Sequence, residues 1–192
     1  LQKTFDATGA GIEWVVIGYL LSIAVWIPSS GWIGDRIGTK RTFLFALLMF
    51  TTASILCGQA HSIGELIAFR ILQGVGGGML TPVGTAMLFR AFPQEERARA
   101  STVLIIPTVI APALGPIIGG LLIDNLSWRW IFYVNVPIGI FGFIFGVLYL
   151  RESKEPTAGK FDVAGFLLAA TGLAGMLYAL SQGPEKGWLS NE

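Results

Sequence analysis

Charged residues occur along this chain only in short clusters, and long apolar stretches separate the clusters. Six stretches contain no Asp, Glu, Lys or Arg: residues 14–34, 42–64, 71–89, 100–123, 130–150 and 163–184. Each is about as long as the roughly 20 helical residues that cross a hydrocarbon core of about 30 Å. Membrane-spanning strands would be about 10 residues long with strict alternation, which this pattern lacks. The pattern predicts six spanning helices, near residues 13–33, 42–60, 63–90, 99–123, 129–150 and 163–181.

The composition agrees with a membrane protein. Of the 192 residues, 53% are hydrophobic and 13% are charged, whereas a soluble domain carries about 25% charged residues. The mean hydropathy is +0.67, and a net charge of +1 does not indicate a nucleic-acid partner. Cys57 is the only cysteine and His61 the only histidine. Without an acid–base or metal-ligand cluster in the sequence, we expect neither an enzyme nor a metal site.

Lysine and arginine are unequally distributed between alternate loops. The loops after the first, third and fifth spans hold nine of them, and the opposite side holds only Lys3, Arg129 and Lys186. Basic loops face the cytoplasm, so we expect a multi-pass protein of the cell (inner or plasma) membrane with both ends of this chain outside. Tryptophans at the expected outer boundary agree with this orientation: Trp14, Trp128, Trp130 and Trp188.

A short charged segment, GWIGDRIGTKR, joins the first two spans from Gly31 to Arg41. Its glycines allow tight packing and a rapid reversal of the chain. Asp35 can pair with a neighbouring cation or cap a helix N-terminus. An ordinary positively charged loop would explain the cations, but not an acid and three glycines at this spacing.

The third span contains an arginine, Arg70, within the string LIAFRILQGVGGGM. An arginine at the centre of a spanning helix costs roughly 2.5–3.5 kcal/mol on insertion scales, and less near an edge. Helical spacing puts Arg70, Gly74 and Gly77 on one face, with Gln73 beside them. A cation next to an amide and a glycine-lined groove indicates a water-filled cavity. The alternative is that Arg70 extends to the outer membrane surface.

The fourth span reads PTVIAPALGPIIGGLL and contains three prolines. Each interior proline removes a backbone hydrogen bond and kinks the helix. Gly115 and Gly119 form a face of small residues that suits close helix packing. The alternative is a bent helix with a purely structural role. In the next segment, WRWIFYVNVPIG, Asn135 is expected to form a hydrogen bond in helix packing, or alternatively to line a cavity.

These segments resemble motifs of the major facilitator superfamily of transporters, in the same order and at the same spacing. The Gly31–Arg41 segment is similar to the loop between the second and third helices of that family, with Ile33 at a position that is usually Leu. The resemblance implies a cytoplasmic gating loop that braces the outward-open state against the opposite half of the transporter. Its candidate residues here are Gly31, Asp35, Arg36, Gly38, Lys40 and Arg41.

The other segments extend the resemblance. The Arg70 string is similar to the fourth-helix motif, which implies a substrate and proton pathway at Arg70, Gln73 and Gly74. The fourth span looks like the antiporter motif, which is found in exporters and is generally missing from symporters. The residues concerned are Pro112, Gly115, Pro116, Gly119 and Gly120. The segment from Trp128 to Gly139 is similar to the sixth-helix entry of the fourteen-span drug:proton antiporters (multidrug resistance, EmrB/QacA-like).

By this alignment the chain corresponds to helices two to seven of a major facilitator helical bundle. The expected fold is an all-α membrane protein with six transmembrane helices, incomplete as a bundle. The link from Arg151 to Asp162 divides it into an N-terminal transporter bundle lacking its first helix (1–155) and a linker-region helix (156–192) before a missing C-terminal half. The expected partners are the lipid bilayer and the remaining helices of a full-length transporter.

The leading hypothesis is a fragment of a secondary active transporter that exports drugs or other small organic compounds, amphipathic or cationic, by alternating access. A proton gradient would supply the energy, with no cofactor. None of the six apolar stretches contains a carboxylate, so the main proton-binding acid is expected outside this segment, and the chain alone is not expected to transport. The alternatives are an uptake or exchange carrier for a metabolite and a non-transporting truncated membrane protein.

Overall fold

The computed structural model describes residue 5, residues 9–155 and residues 159–186. Within them lie seven α-helices and a short 3₁₀ turn at Gln94–Glu96. The helices are α1 (Gly9–Ile37), α2 (Thr39–Gln59), α3 (Ile63–Ala91), α4 (Arg97–Asn125), α5 (Trp130–Tyr133), α6 (Asn135–Tyr149) and α7 (Val163–Lys186). With the short α5 and α6 taken as one span, six helices are long and apolar enough to cross a membrane. The predicted all-α membrane fold is confirmed, while the interfacial Trp188 lies outside the described residues.

The chain reverses between α1 and α2 in a single residue. The sequence predicted helix boundaries near residues 33 and 42, but α1 continues to Ile37 and α2 begins at Thr39. Only Gly38 lies between them, with a φ of 120° that residues with a side chain rarely adopt. The predicted boundaries were therefore wrong by several residues, because one glycine is enough to turn the chain and the polar residues around it remain helical.

The third helix is the centre of the bundle and packs closely against both α1 and α2. A Cβ on Gly76 would lie 2.5 Å from the carbonyl oxygen of Ala46 on α2. A Cβ on Gly78 would lie 2.8 Å from the carbonyl oxygen of Ile23 on α1. The glycine string therefore lets two backbones approach α3 from different sides, as small residues do in membrane helix packing.

The start of α3 is fixed by local hydrogen bonds. The Ser62 hydroxyl accepts a hydrogen bond from the backbone N–H of Glu65 at 3.2 Å, and the Glu65 carboxylate accepts one from the N–H of His61 at 2.9 Å. This reciprocal arrangement resembles a capping box, and the acid lies where the helix dipole favours negative charge. The predicted start of this span at residue 63 is confirmed.

The remaining helices differ in how much of their surface is covered. The fifth and sixth helices pack against α2. The seventh helix packs against α1, with the ring centres of Trp14 and Tyr178 6.2 Å apart, and Phe161, just before α7, lies 4.9 Å from the Trp32 ring by the same measure. In contrast, no residue in the apolar window of α4 is buried by another described residue. The division at residue 155 stays a prediction; Pro156 lies outside the described residues.

Candidate functional site

Arg70 lies inside the helical bundle, seven residues or about 10 Å from the first residue of α3. Its side chain turns towards α1 rather than extending along α3. The Nε–H donates to the backbone carbonyl of Val15 at 3.2 Å, and the guanidinium carbon lies 3.8 Å from the centre of the Tyr19 ring. A cation placed over an aromatic face is stabilised by about 0.5–2 kcal/mol. These contacts hold the half-buried guanidinium between two helices.

Gln73 extends this contact to α2. Its Oε1 accepts a hydrogen bond from the Arg70 guanidinium at 2.7 Å, and its amide nitrogen donates to the hydroxyl of Ser54 on α2. Gln73 is only 1% exposed and Ser54 is fully buried. Because buried amides need partners, this chain of bonds fixes the orientation of Gln73 and of the arginine that it binds. The predicted proximity of Arg70 and Gln73 is confirmed by this geometry.

The structure gives Gly74 a contact with α1. A Cβ on Gly74 would lie 2.5 Å from the Cβ of Ser22 and 2.8 Å from the carbonyl oxygen of Tyr19. The Ser22 hydroxyl donates to the carbonyl of Ile71 at 2.7 Å, one turn earlier on α3. Gly74 therefore allows the α1–α3 contact that brings the Tyr19 ring to Arg70. A role of Gly74 in a substrate or proton pathway stays a prediction.

Sequence reasoning did not identify four of the groups around Arg70: Val15, Tyr19, Ser54 and Phe132. Phe132 lies on α5 and is 8% exposed, and its ring centre is 5.8 Å from the guanidinium carbon of Arg70. All four are ordinary residues of apolar spans, separated from Arg70 by 16 to 62 positions along the chain. No local pattern marks them. Only the packing of α1, α2 and α5 around α3 brings them together.

The Gly31–Arg41 segment lies at the other end of α3. Asp35 pairs with Arg90 near the C-terminal end of α3, about 30 Å along the helix from Arg70. The backbone carbonyl of Asp35 also accepts a hydrogen bond from the N–H of Glu155 at 3.1 Å. The expected pairing with a neighbouring cation of the Gly31–Arg41 segment, or a capping role, was therefore wrong. Asp35 lies inside α1 and pairs with Arg90, because the packing of α1 on α3 brings the two residues together.

The start of α2 binds the carboxylate of a residue that is distant in the sequence. Glu152 accepts hydrogen bonds from the backbone N–H groups of Lys40 at 3.0 Å and Arg41 at 3.3 Å, and it lies 3.6 Å from the Nε of Arg41. Lys40 instead directs its Nζ to the carbonyl of Val147 at 2.8 Å. The end of α6 and Glu152, which follows it, therefore contact Gly38, Lys40 and Arg41. In contrast, Gly31 and Arg36 are exposed.

The residues of the predicted antiporter motif lie together on α4 and away from Arg70. The helix is continuous through Pro107, Pro112 and Pro116. Nothing among the described residues lies within 4 Å of a Cβ placed on Gly115, Gly119 or Gly120. The face of small residues expected from the sequence is present, and within the described part of the chain it is uncovered.

A cavity of about 860 Å³ opens at the end of the bundle that carries Arg90 and Glu152. Its walls come from α2, α3, α4 and α6 and are mainly apolar, with Phe43, Met87 and Phe145 among them. None of the predicted pathway residues lines it. The cavity lies where α4 stands apart from α3 and α6. The half-buried Arg70 contacts side chains of α1, α3 and α5 instead.

The fold and this polar network define a polytopic membrane protein with a charged group among its spanning helices, a feature of membrane transporters. The sequence profile of the Major Facilitator Superfamily matches residues 1–184 of the chain. The chain therefore belongs to this superfamily, as the motifs indicated.

Relatives within the superfamily are similar over most of the chain. A "Multidrug resistance protein B homolog" of Mycobacterium tuberculosis (strain ATCC 25618 / H37Rv) is 41% identical over 194 residues, covering 99% of this chain and 36% of the relative. A Serratia proteamaculans (strain 568) protein that bears the multidrug resistance name MdtD is 42% identical over 166 residues, covering 86% of this chain and 35% of the relative. The chain thus spans about a third of the length of these relatives.

Proposed function

We propose that this chain forms part of a secondary active transporter that exports drugs or other small organic compounds in exchange for protons. In this proposal the helices move between outward-open and inward-open arrangements around a site near Arg70. The chain supplies the guanidinium and its supporting helices. The acid that binds the transported proton comes from outside the six apolar stretches, because none of them contains a carboxylate.

The observation that carries this proposal is the uncompensated charge of Arg70. Its partners among the described residues are a carbonyl, an amide and two aromatic rings, and none of them is an acid. A charge buried without a counter-charge is destabilising, so such a residue inside a membrane protein marks a functional site. Because the neighbouring groups are uncharged, the cation can bind an anionic group reversibly during transport.

The names of the relatives support a drug as the transported compound. Both relatives described above carry multidrug resistance in their names. The small residues and prolines of α4 favour export over uptake by their resemblance to the antiporter motif. The distribution of basic residues supports a cell-membrane location with the Arg90 end of the bundle in the cytoplasm.

The proposal is tested by replacing Arg70 in the protein expressed from its complete reading frame. Everted membrane vesicles would be energised with a proton gradient, and accumulation of a fluorescent cationic dye such as ethidium would be recorded. We expect Arg70→Ala and Arg70→Gln to abolish gradient-driven accumulation while membrane insertion is unchanged. Arg70→Lys is expected to lose most of the activity, because lysine lacks the planar donors that bind Val15 and Gln73 together.

A matched control is Arg99→Ala, because Arg99 is also an arginine but is exposed near the start of α4. This variant should accumulate dye normally. Full activity of Arg70→Ala would contradict the proposal. Dye movement only in the opposite direction would favour the uptake carrier, and the absence of any gradient dependence in the unmodified protein would favour a non-transporting membrane protein.

A further inference from the structure

The cavity at the Arg90 end of the bundle is separate from the Arg70 site and has a charged end and an apolar interior. It has a volume of about 860 Å³, and its lining includes the segment 150–153 that follows α6. We propose that this cavity binds one anionic phospholipid of the cytoplasmic leaflet, with the phosphate at Arg151 and the upper part of an acyl chain between α4 and α6. The choice of leaflet rests on the orientation in the proposed function, whereas the binding itself does not depend on transport.

The charges around the cavity favour an anion. Three charged residues line it: Arg90, Arg151 and Glu152. Arg90 pairs with Asp35, and Glu152 pairs with Arg41. Arg151 is exposed and forms no hydrogen bond or ion pair with another described residue. The charge that lacks a counter-charge among the described residues is therefore positive.

Two further groups at the charged end suit a phosphate. The Ser153 hydroxyl accepts a hydrogen bond from the Arg90 guanidinium at 3.4 Å, so its own proton remains available to donate. The Arg97 guanidinium donates to the carbonyl of Phe92 at 3.5 Å, and Phe92 lines the cavity. Guanidinium groups bind phosphate oxygens through short, charge-assisted hydrogen bonds. A phosphate beside Arg151 would therefore have a hydroxyl donor and a second cation close by.

The interior of the cavity is apolar, so the chemical groups along it follow the order of those in a phospholipid. Along α3 the lining extends from Ala91 back to Gly84, seven residues or about 10 Å. On α6 the rings of Phe145 and Tyr149 line the cavity with their centres 4.9 Å apart, and Leu104 lines it from α4. These three side chains are exposed among the described residues. An acyl chain would cover this apolar surface, which favours binding.

A phospholipid fits the cavity better than the other candidate ligands. An amphipathic cation, such as the compounds proposed for export, would place its charge beside the uncompensated Arg151 and be repelled. A soluble phosphate would bind the charged end but leave the apolar walls uncovered. Anionic lipids give the cytoplasmic leaflet its negative surface potential, and basic pockets between spanning helices on that side bind anionic headgroups. The match of both parts of the cavity to one molecule supports the lipid.

The first test compares two lipids in the protein expressed from its complete reading frame. Phosphatidylglycerol and phosphatidylcholine with identical acyl chains would be titrated in detergent, and bound lipid would be counted by native mass spectrometry. We expect the tightest phosphatidylglycerol to bind roughly fivefold or more above phosphatidylcholine, the factor that one basic residue near an anionic surface supplies. Arg151→Gln should weaken phosphatidylglycerol binding about fivefold and Arg151→Glu more, whereas Arg151→Lys should retain it.

Matched variants separate the cavity from general effects of charge and size. Arg99→Gln removes an exposed arginine that does not line the cavity, and should bind both lipids normally. Gly84 lines the cavity, and a Cβ there would meet only the Phe43 ring at an ordinary 3.6 Å, so Gly84→Leu should fill the space and weaken lipid binding. Gly172→Leu on α7 is the control, because apart from its own helix backbone and chain neighbours no described atom lies within 4 Å of a Cβ there.

A second test identifies what occupies the cavity in a membrane. Tyr149 lines the cavity and is 70% exposed, so it would be replaced by the photoreactive amino acid p-benzoylphenylalanine. In membranes that contain phosphatidylglycerol, irradiation should attach this lipid, and the yield should fall when Arg151→Glu is added. The same photoreactive group at Leu168 of α7, which is 74% exposed and does not line the cavity, should react with lipid at a yield that Arg151→Glu leaves unchanged.

Three results would overturn the lipid site. The first is equal affinity for the two lipids, and the second is unchanged phosphatidylglycerol binding in Arg151→Glu. The third is attachment of position 149 to a peptide of the same protein, which would show that another helix covers the cavity. Lipid binding is measured without a proton gradient or a transported compound, so failure of the lipid site and failure of the proposed export activity are recorded separately.

Discussion

Replacing Gly38 by alanine changes a backbone angle and a charged contact at once. The residue has a φ of 120°, outside the left-handed helical region that other residues occasionally occupy. A Cβ added there would collide with the carboxylate of Glu152, lying 2.5 Å from its carboxyl carbon and 2.9 Å from Oε2. Because Glu152 is a flexible side chain, it can move aside, but it then leaves the N–H groups of Lys40 and Arg41.

The expected loss of stability has two parts. Holding alanine at an unfavourable φ costs of order 1–3 kcal/mol. Displacing a carboxylate from backbone N–H groups costs about 1.5–3 kcal/mol for a buried charged bond, and less here since the Glu152 side chain is 31% exposed. The accompanying ion pair adds little, because Arg41 is 69% exposed. We expect Gly38→Ala to lower the free energy of unfolding by about 2–4 kcal/mol.

The measurement is equilibrium unfolding in mixed detergent micelles, followed by tryptophan fluorescence, on the four proteins of a double-mutant cycle. Glu152→Gln should cost about 1–2 kcal/mol in the unmodified background. In the Gly38→Ala background it should cost almost nothing, because the carboxylate has already been displaced. Gly31→Ala is the control, since the residue is inside α1 and, apart from the backbone of α1 and the neighbouring residues, no atom of the described residues lies within 4 Å of a Cβ at that position. Strictly additive losses, or equal losses for the two glycines, would refute the reasoning.

Three further outcomes follow from the same structure. Gly76→Ala should destabilise the bundle by about 1–3 kcal/mol in the same unfolding assay, because backbone atoms of α2 cannot move aside, whereas Gly64→Ala, with open space around it, should be nearly neutral. Cys57 is fully buried, so a bulky maleimide should modify it only after denaturation; rapid labelling of the folded protein would show a looser bundle. In a cysteine-free background, Asp124→Cys should react with an impermeant maleimide on intact cells and Lys154→Cys only after permeabilisation, and the reverse pattern would invert the proposed orientation.

The six spans could be read from the sequence because their signal is physical and local. A stretch of about 20 uncharged apolar residues has few alternatives to a spanning helix, since lipid cannot satisfy an open backbone. The contact between Arg70 and Gln73 could also be predicted from the sequence, because residues three apart on a helix are neighbours. Both predictions depend only on residues close together in the chain.

The contacts between distant residues could not be read in this way. Glu152 and Lys40 are 112 positions apart, and Arg90 and Asp35 are 55 apart. A glutamate directly after an apolar span is also what an ordinary membrane boundary would show. The position of the α1–α2 turn was missed for a related reason: three glycines lie in the Gly31–Arg41 segment, and only packing against Glu152 and Val83 distinguishes Gly38 and Gly34 from Gly31.

The environment of Arg70 explains why the chain uses an arginine at this position. Separate nitrogens of its planar guanidinium, Nε and Nη1, donate to Val15 and Gln73, and the guanidinium carbon lies over the Tyr19 ring, whereas a lysine has a single nitrogen for all three contacts. These neutral partners orient the group but leave its charge uncompensated within the described bundle. In the proposed exporter, a carboxylate on other helices would pair with Arg70 when ionised and leave it when protonated. The strength of that pairing would then link proton binding to the arrangement of α1 and α3, which is the coupling that proton-driven exchange requires.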